Sequence, residues 1–294
     1  MKALRALSLL VVLASCSTPE PVPIHRHGLE NAYWLTDKVL SGAQPEGDAA
    51  FGELAALGVK TVISVDGAIP DAEAARRHGL RTVHLPIGYD GVSKEQGQQL
   101  AKAILELPGP VYVHCHHGLH RSPAAAVVAC VVAGRMSNDE AVAALQILGT
   151  GAQYRGLWQS AREARPEDPS LLRSLRGTFP EAAPVPPLAK AMVAMQKSLD
   201  RLELSARWNW EPPAEVPDVD PGHEALKIRE LCAEIRRTRD FKSRPPDFNG
   251  WMQSAEAAAA RLEDLFRLKV TESADRALGS LKRTCADCHA AYRN

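Results

Sequence analysis

The sequence predicts two domains: a three-layer α/β domain with a mostly parallel sheet, followed by an all-α four-helix bundle. The chain has 294 residues, which is enough for about two domains. Short apolar, β-rich runs alternate with helical patterns up to residue 165, whereas only helical patterns occur after residue 187. A Pro-rich tract, residues 179–187, lies between the two parts and breaks the periodicity on both sides.

The amino-acid composition argues against two classes of binding partner, nucleic acid and anionic membranes. The chain carries 35 Lys and Arg residues against 35 Asp and Glu, so no excess charge favours nucleic acid or an anionic membrane surface as the main partner. Aromatic residues make up 5% of the chain, which argues against stacking platforms for single strands. No internal apolar run approaches the roughly 18 residues of a membrane span. We therefore expect a soluble body and no nucleic-acid partner.

Residues 1–16 have the pattern of an export signal. Lys2 and Arg5 precede an apolar stretch that is too short to span a bilayer. The stretch ends Leu-Ala-Ser-Cys at Cys16, which resembles the lipobox of bacterial lipoproteins. The resemblance implies a lipid anchor on Cys16 and, because Ser17 rather than Asp follows, a periplasmic body attached to the outer membrane. The alternative is an ordinary cleaved signal, and both interpretations imply export.

The remaining chain divides, in order, into a linker (17–28), the α/β domain (29–165), a Pro-rich linker (166–187) and the helical domain (188–294). Strands are predicted at Val39–Leu40, Thr61–Val65, Thr82–Pro86 and Pro110–His114. Helices of the α/β domain are predicted near 47–57, 71–78, 93–106, 121–134 and 138–148. Four amphipathic stretches of the helical domain begin at Leu188, Ile228, Trp251 and Leu278.

Six cysteines occur, at positions 16, 115, 130, 232, 285 and 288. In an exported chain such a set is tested first for disulfides. Four of the six belong to the lipobox or to the two motifs described below. Cys130 and Cys232 lie in apolar helical patterns of different domains, so we expect both to be buried and unbridged.

A strand that leads through a cysteine loop into a helix carries the chemistry of the first domain. The apolar run Val111–His114 leads into Cys-His-His-Gly-Leu-His-Arg-Ser, residues 115–122, and a helical run follows. Backbone N–H groups at a helix start, assisted by the helix dipole, form a nest for phosphate. Gly118 permits the unusual backbone angles of such a nest.

Three side chains of this loop suit phosphoryl transfer. The positive potential of the nest stabilises Cys115 as a thiolate, which can attack phosphorus. Arg121 offers a planar fork to two phosphoryl oxygens. Ser122 can donate a hydrogen bond to the thiolate when it leaves in the second step.

The pattern His114-Cys115-x5-Arg121-Ser122 resembles the signature of the Cys-dependent protein tyrosine and dual-specificity phosphatases. The resemblance covers residues 29–165, and the short chain before the motif favours the dual-specificity type. It implies hydrolysis of a phosphorylated protein or a small phosphomonoester without a cofactor, with His114 orienting the loop. Sulfur transfer is an alternative, but rhodanese-type loops are usually one residue shorter.

The reaction also needs an acid that protonates the leaving oxygen and later activates water. Asp90 follows a predicted strand at the place where the resembled family carries its general-acid Asp. Asp66, at the end of the strand Thr61–Val65, is the rival, because sites of α/β folds lie at this sheet edge. We expect Asp90 to be the acid.

The loop is rich in histidine. We expect His116, His117, Gly118, Leu119 and His120 to contact the substrate, the histidines adding donors and positive charge around an anion. A metal site is the alternative, but ligands in one tight loop would block the catalytic Cys.

The end of the chain contains a second motif. Cys285-Ala-Asp-Cys288-His289 is the Cys-x-x-Cys-His pattern of c-type haem attachment. Two Cys three residues apart can form thioethers to haem c while the adjacent His binds the iron. A redox pair or half of a zinc site is the alternative.

Residues 188–294 resemble the cytochrome c′ family, whose motif also closes the chain; Tyr292 and Arg293 match its ending. The resemblance implies a second axial position filled from the first helix, by Met192 or by an apolar residue, with Met195 one turn later. The resemblance further implies that the helical domain exchanges electrons with a redox partner or binds a small gas, and that two chains pair as a homodimer.

Two functions follow from these motifs. The first is an exported phosphatase fused to a haem domain for electron transfer or for gas or redox sensing. The second is a haem protein whose phosphatase-like domain only binds phospho-ligands. Intact Cys115, Arg121 and Ser122 favour the first, because a binding module needs no nucleophile.

Overall fold

The computed structural model describes residues 20–211 and 219–292. The predicted signal, with Cys16, and Arg293 lie outside these residues. Within them, no helix is both long and apolar enough to cross a membrane.

One six-stranded sheet forms the centre of the first part of the chain. Its strands are β1 (Val22–Arg26), β2 (Leu29–Trp34), β3 (Val39–Ala43), β4 (Thr61–Ser64), β5 (Arg81–His84) and β6 (Val111–Cys115). They lie in the order β1-β2-β3-β6-β4-β5. The four strands predicted from sequence pair in parallel, as expected, whereas β1 and β2 pair antiparallel at one edge. The sheet is therefore mixed.

Twelve α-helices occur in the described residues. They are α1 (Gly47–Ala56), α2 (Ala72–Arg77), α3 (Lys94–Glu106), α4 (Arg121–Val132), α5 (Asn138–Ile147), α6 (Arg155–Glu163), α7 (Pro169–Ser174), α8 (Pro187–Arg207), α9 (Pro221–Ile235), α10 (Arg239–Lys242), α11 (Pro246–Arg267) and α12 (Ala274–Tyr292). The first five agree closely with the predicted helices. Local signals explain some of these boundaries: capping boxes begin α3 at Ser93 and α5 at Ser137.

The sheet is covered on both faces, which gives the three layers predicted. Successive residues of a strand point to opposite faces. Thus Val62 and Tyr112 pack in a core with α1 and α2, whereas Ile63 and Val113 pack in a second core with α3 and α4. Cys130 of α4 belongs to this second core and forms no disulfide.

Two segments interpreted as linkers contain secondary structure. β1 lies within 17–28, and α7, with its buried Leu172, lies within 166–187. Only Ile24 of β1 is buried, so this edge strand lacks the apolar run that signals a central strand. The leucines of α7 form too short a pattern to show helical periodicity.

The Pro-rich tract is held along the α/β part. The backbone N–H of His84 donates to the carbonyl of Pro180 at 2.8 Å, and the N–H of Ala183 donates to Nδ1 of His84 at 3.0 Å. Glu181 pairs with Arg76 at 2.9 Å, and the side chain of Val185 is buried. The tract therefore follows the first domain's surface up to the start of α8.

The second part is helical, as predicted. Four long helices, α8, α9, α11 and α12, contribute to one apolar core, in which Leu202, Ile228, Leu262 and Leu281 are buried. The helices follow the four predicted amphipathic stretches. Cys232 belongs to this core and is unbridged.

Candidate active site

The cysteine loop lies where the sequence places it, between the end of β6 and the start of α4. Cys115 is the last residue of β6, and Arg121 is the first of α4. The pairing of β6 with β3 and β4 sets Cys115 beside Ala43 and His114 beside Ser64. The loop thus stands at the carboxyl edge of the parallel strands, where α/β sites form.

Gly118 fits this loop because of both its backbone angle and its surroundings. Its φ is +72°, in the left-handed region that favours glycine. A Cβ at this position would overlap the backbone of Gly42 and Ala43 at the end of β3. The loop therefore packs directly on β3.

Cys115 and Ser122 lie in contact inside the loop. The Sγ of Cys115, which is buried, is 3.3 Å from the Oγ of Ser122. The same hydroxyl donates to the carbonyl of Gly42 at 2.9 Å. Ser122 is therefore within reach of a thiolate on Cys115, as its predicted role requires.

Arg121 is buried, and among the residues that the structure describes its Nε has no hydrogen-bond partner. Its Nη2 donates to the Oδ2 of Asp66 at 2.8 Å, and its guanidinium carbon lies 4.5 Å from the centre of the Tyr89 ring. A buried donor without a partner is costly, and an anion in the loop would satisfy it.

Asp66, the rival candidate for the acid, contacts the cysteine loop directly. Its Oδ2 also accepts the backbone N–H of His116 at 2.6 Å, and its Oδ1 accepts that of Ala68 at 3.0 Å. Burial raises the pKa of Asp66, but Arg121 and these two N–H groups outweigh burial and lower it. A carboxylate held ionised in this way is poorly suited to donate a proton, so the contacts indicate a structural role.

Asp90 lies exposed in the loop that follows β5. Its backbone packs against Gly156 of α6, where a Cβ would overlap the Asp90 carbonyl, and the N–H of Val92 donates to Ser160 at 2.8 Å. Among the described contacts, Asp90 has none with Cys115. The preceding Tyr89 covers Arg121, so the segment that carries Asp90 borders the site.

The histidines of the loop occupy different environments. Burial lowers the pKa of His114 to about 4, so this ring is neutral; the negative charge of Asp66 and a hydrogen bond to the Cys115 backbone oppose the shift only in part. The ring of His120 lies against that of Tyr154, with 4.4 Å between the ring centres and a tilt of 44°, and its Nδ1 accepts the N–H of Gly151 at 3.3 Å. The carbonyl of Leu119 accepts the hydroxyl of Thr150 at 2.9 Å.

His116 and His117 lie beside the helical part of the chain. Nε2 of His116 is 3.1 Å from Oδ2 of Asp200, a residue of α8. The hydrogen bond with Asp200 raises the pKa of His116, although burial opposes this shift. Burial and, to a smaller extent, the nearby His116 lower the pKa of His117. The carbonyl of His117 accepts the amide of Asn31 at 2.9 Å.

Some residues around the site were missed by sequence reasoning. Tyr89 and Tyr154, whose rings lie 4.8 Å apart, form an aromatic wall beside Arg121 and His120. Asp200 comes from the other domain, so no pattern near the cysteine loop could reveal it. Its only signal is a polar pair, Gln196 and Asp200, at helical spacing beside the apolar stripe of α8.

The second motif lines an apolar cavity in the helical part. The cavity is lined by Met192, Met195, Gln196 and Leu199 of α8, Ile228 and Cys232 of α9, Trp251, Met252 and Ala255 of α11, and Leu281, Thr284, Cys285, Cys288 and His289 of α12. Both motif cysteines, His289 and the two methionines thus face one space. Burial raises the pKa of Cys288 to about 11 and that of Cys232 to about 12.

These residues match the donor set that haem c requires. The cavity brings two unbridged Cys, one His and a thioether together within otherwise apolar walls. In the part of the chain that the structure describes, no group of three or more His, Cys, Asp or Glu side chains is arranged to hold a metal ion directly.

Similarity to known proteins was found among solved structures. No family model matches the chain, and no curated protein sequence matches it. The structure of TpbA from P. aeruginosa aligns with 53% of this chain and 96% of its own, at 23% identity and a TM-score of 0.44. The structure of a TpbA variant in complex with pTyr aligns with 54% of this chain and covers 96% of the TpbA chain, at 23% identity and a TM-score of 0.44. The core catalytic domain of the PP-IP phosphatase SIW14 from S. cerevisiae aligns with 49% of this chain. The alignment covers 90% of the SIW14 chain, at 13% identity and a TM-score of 0.41.

Proposed function

We propose that the α/β part of this chain hydrolyses phosphomonoesters through a phosphocysteine intermediate on Cys115. The observation that carries the proposal is the loop itself. It holds a buried Cys, a hydroxyl 3.3 Å from its sulfur, and a buried Arg whose Nε lacks a partner among the described residues. A site that only bound phosphate would need the Arg and the N–H groups but not the sulfur.

The steps follow from the chemistry of these groups. The thiolate of Cys115 attacks phosphorus while Arg121 binds two equatorial oxygens and the leaving oxygen takes a proton from an acid. Water then attacks the phosphocysteine, the acid's conjugate base takes a proton from that water, and Ser122 donates to the departing thiolate. Phosphate and the protonated acid are the products of this second step.

Asp90 is our proposed acid. It is exposed, whereas Asp66 is buried and held as a carboxylate by Arg121. Its role requires the segment after β5 to bring the carboxyl over the loop when substrate binds. Loops that close over substrate in this way are common in enzymes.

Leaving-group dependence tests this assignment. Asp90→Asn should slow hydrolysis of phenyl phosphate, whose leaving group needs a proton, by about 100-fold. It should slow an aryl phosphate with a strongly acidic phenol far less. The matched variant Asp66→Asn should affect both substrates equally, since Asp66 supports the loop rather than donating a proton. The reverse pattern would assign the acid to Asp66.

The substrate class remains a phosphorylated protein or a small phosphomonoester. The aromatic wall of Tyr89 and Tyr154 beside Arg121 supports an aryl phosphate as the first probe. Comparing kcat/KM for phosphotyrosine and phosphoserine peptides of one sequence tests this preference. Removal of the Tyr154 ring by Tyr154→Leu should lower the ratio between the two.

We propose further that the helical part is a four-helix bundle that holds haem c. The cavity supports this because Cys285 and Cys288 could form the two thioethers, while His289 and Met192 could bind the iron. Bound haem would provide an iron centre for electron transfer or for binding a small gas. The apolar walls contributed by Leu199, Ile228 and others would keep water from that centre.

Covalent haem can be detected directly on the purified chain after export in a bacterium that matures c-type cytochromes. Wild type should retain haem on a denaturing gel, and a variant carrying both Cys285→Ser and Cys288→Ser should lose it. Cys232→Ser is the matched control, because Cys232 lines the same cavity but lies outside the motif. Met192→Ala should change the absorption spectrum and reduction potential, and Met195→Ala should not.

The cellular location is also a proposal, and it rests on the sequence alone. Export to the periplasm with a lipid on Cys16 predicts that the full chain fractionates with the outer membrane. Cys16→Ala should abolish lipidation and release or misprocess the chain. Unchanged fractionation of that variant would contradict the anchor.

A further inference from the structure

Two adjacent faces of helix α8 contact different parts of the molecule. One face lines the apolar cavity, and the adjacent face lies on the α/β part. A Cβ on Gly67, which follows Asp66, would come 3.3 Å from Val193 and 3.9 Å from Ala189. Two turns further along the same helix, Asp200 reaches His116. α8 therefore borders both the cavity and the catalytic loop.

The residue after the nucleophile is held by three separate contacts. The carbonyl of His116 accepts the N–H of Gln44 at 3.1 Å, and its own N–H donates to Asp66 at 2.6 Å. Its ring contacts Asp200 at 3.1 Å. Two of the contacts come from the α/β part, and the third comes from the helical part.

Asp200 is itself fixed in place. Its Oδ2 contacts His116, and its Oδ1 accepts the amide Nε2 of Gln196 at 2.8 Å. Gln196 also lines the cavity. Both carboxylate oxygens thus have a partner, and the side chain can hold the imidazole of His116 in one orientation.

We propose that Asp200 is a positioning residue of the phosphate-binding loop, which it orients through the ring of His116. The inference rests on the proposed phosphatase function and adds to it a requirement for the helical domain. The α/β part carries the nucleophile, the Arg and the Ser, yet one support of its loop comes from α8. Phosphate binding should therefore depend on a residue more than 80 positions away in sequence, since His116 and Asp200 are 84 apart.

The charge on His116 determines the strength of this contact. Charged or titratable groups that face its ring or backbone are Asp200, Asp66, Arg121 and His117. The two carboxylates favour the imidazolium, while burial and Arg121 disfavour it, and the pKa of His116 is raised overall. The ion pair is complete while His116 stays protonated and Asp200 ionised. It is lost as the pH rises through the raised pKa of His116.

Binding of inorganic phosphate to the full chain carrying Cys115→Ser tests the inference without turnover. Asp200→Asn in this background should weaken phosphate binding roughly tenfold, the effect of losing one charge-assisted hydrogen bond. It should also lower the pH at which affinity falls, because the neutral amide no longer favours the imidazolium. Asp200→Glu should restore part of the phosphate affinity and should reverse part of the shift in the pH at which that affinity falls. Glu203→Gln is the matched control, since Glu203 lies on the same helix and pairs with Lys282 of α12.

The NMR titration of the His116 ring gives a second readout. Asp200→Asn should lower the midpoint of that titration, and Glu203→Gln should leave it unchanged. Unchanged phosphate affinity and an unchanged midpoint in Asp200→Asn would overturn the proposal. A lowered midpoint with unchanged affinity would also overturn it, because the contact would then serve domain docking alone.

Failure of the proposed function gives a different result. If wild type hydrolyses no phosphomonoester but Cys115→Ser binds phosphate in an Asp200-dependent way, the hydrolase proposal fails and the positioning role stands. If the loop binds no phosphate at any pH, both fail together.

Discussion

Ser122 has one proton, and two neighbouring groups compete for it. The hydroxyl donates to the carbonyl of Gly42, yet its oxygen also lies 3.3 Å from the Cys115 sulfur. A serine hydroxyl has a single donor, so it can accept from a thiol while bonded to Gly42, but it must turn to donate to a thiolate. In the proposed reaction, Ser122 should therefore contribute most when the thiolate forms or is released.

Ser122→Ala should slow breakdown of the phosphocysteine more than its formation. We expect a burst of phenol followed by a steady rate roughly tenfold below that of wild type, since one hydrogen bond to the leaving thiolate is lost. Stopped-flow measurement of phenol release checks this. Ser41→Ala is the control, because its buried hydroxyl has no partner among the described residues. Equal slowing of both phases would contradict the role.

Asp66 should stabilise the fold through its ionised form. Its pKa is lowered, so its contribution is complete above the unfolded value of about 4 and is lost as the pH falls through the folded pKa. Asp66→Asn leaves Arg121 buried without its partner and should cost about 3 kcal/mol at pH 7. Urea unfolding across pH should show this difference shrinking below pH of about 4. A difference that stays constant in acid would refute the ion-pair argument.

At the scale of elements, the strand–loop–helix unit around Cys115 was predictable because its signals are local. A buried apolar strand, a glycine and a helical run follow one another within a few residues. β1 was missed because its alternating exposed residues resemble a polar segment. Tyr89 and Tyr154 were missed because they meet only when the loop after β5 packs on α6.

A glycine at position 118 is favoured by its positive φ and by its close packing on β3. Comparing Gly118→Ala with Gly134→Ala separates these two effects. Both Gly118 and Gly134 have a positive φ, but only Gly118 packs on backbone, whereas nothing lies within 4 Å of a Cβ on Gly134. Gly134→Ala should cost about 1 kcal/mol from backbone strain alone. Gly118→Ala should cost more and also abolish phosphate binding, because the loop must leave β3. Similar effects of both variants on phosphate binding would show that packing on β3 is unimportant.

At the scale of the whole molecule, the two parts are in contact rather than separated by a free spacer. The Pro-rich tract is bonded to β5, and α8 touches the segment after β4 as well as the catalytic loop. Sequence alone predicts both parts and the motif in each, because each motif is local. It predicts neither contact, because each joins residues distant in sequence.

Gly67→Val should separate the parts by placing a branched side chain against Val193 and Ala189. The docked tract should then become more accessible, and limited proteolysis within residues 179–187 should be several times faster. Gly177→Val is the matched control, since the nearest atom to a Cβ there is a lysine side-chain carbon at 3.7 Å, within ordinary van der Waals contact. Equal cleavage rates in both variants would show that Gly67 does not support the contact.

The central claim is that Cys115 is a nucleophile toward phosphorus. The most direct measurement is mass spectrometry of the full chain, quenched in acid during turnover of an aryl phosphate with a strongly acidic phenol. Asp90→Asn serves to slow breakdown of the intermediate, because this leaving group needs little protonation and the intermediate still forms. The account predicts one phosphate on the peptide containing Cys115, and none in Cys115→Ser. Hydrolysis without that phosphate, or with phosphate on a histidine of the same loop, would contradict it.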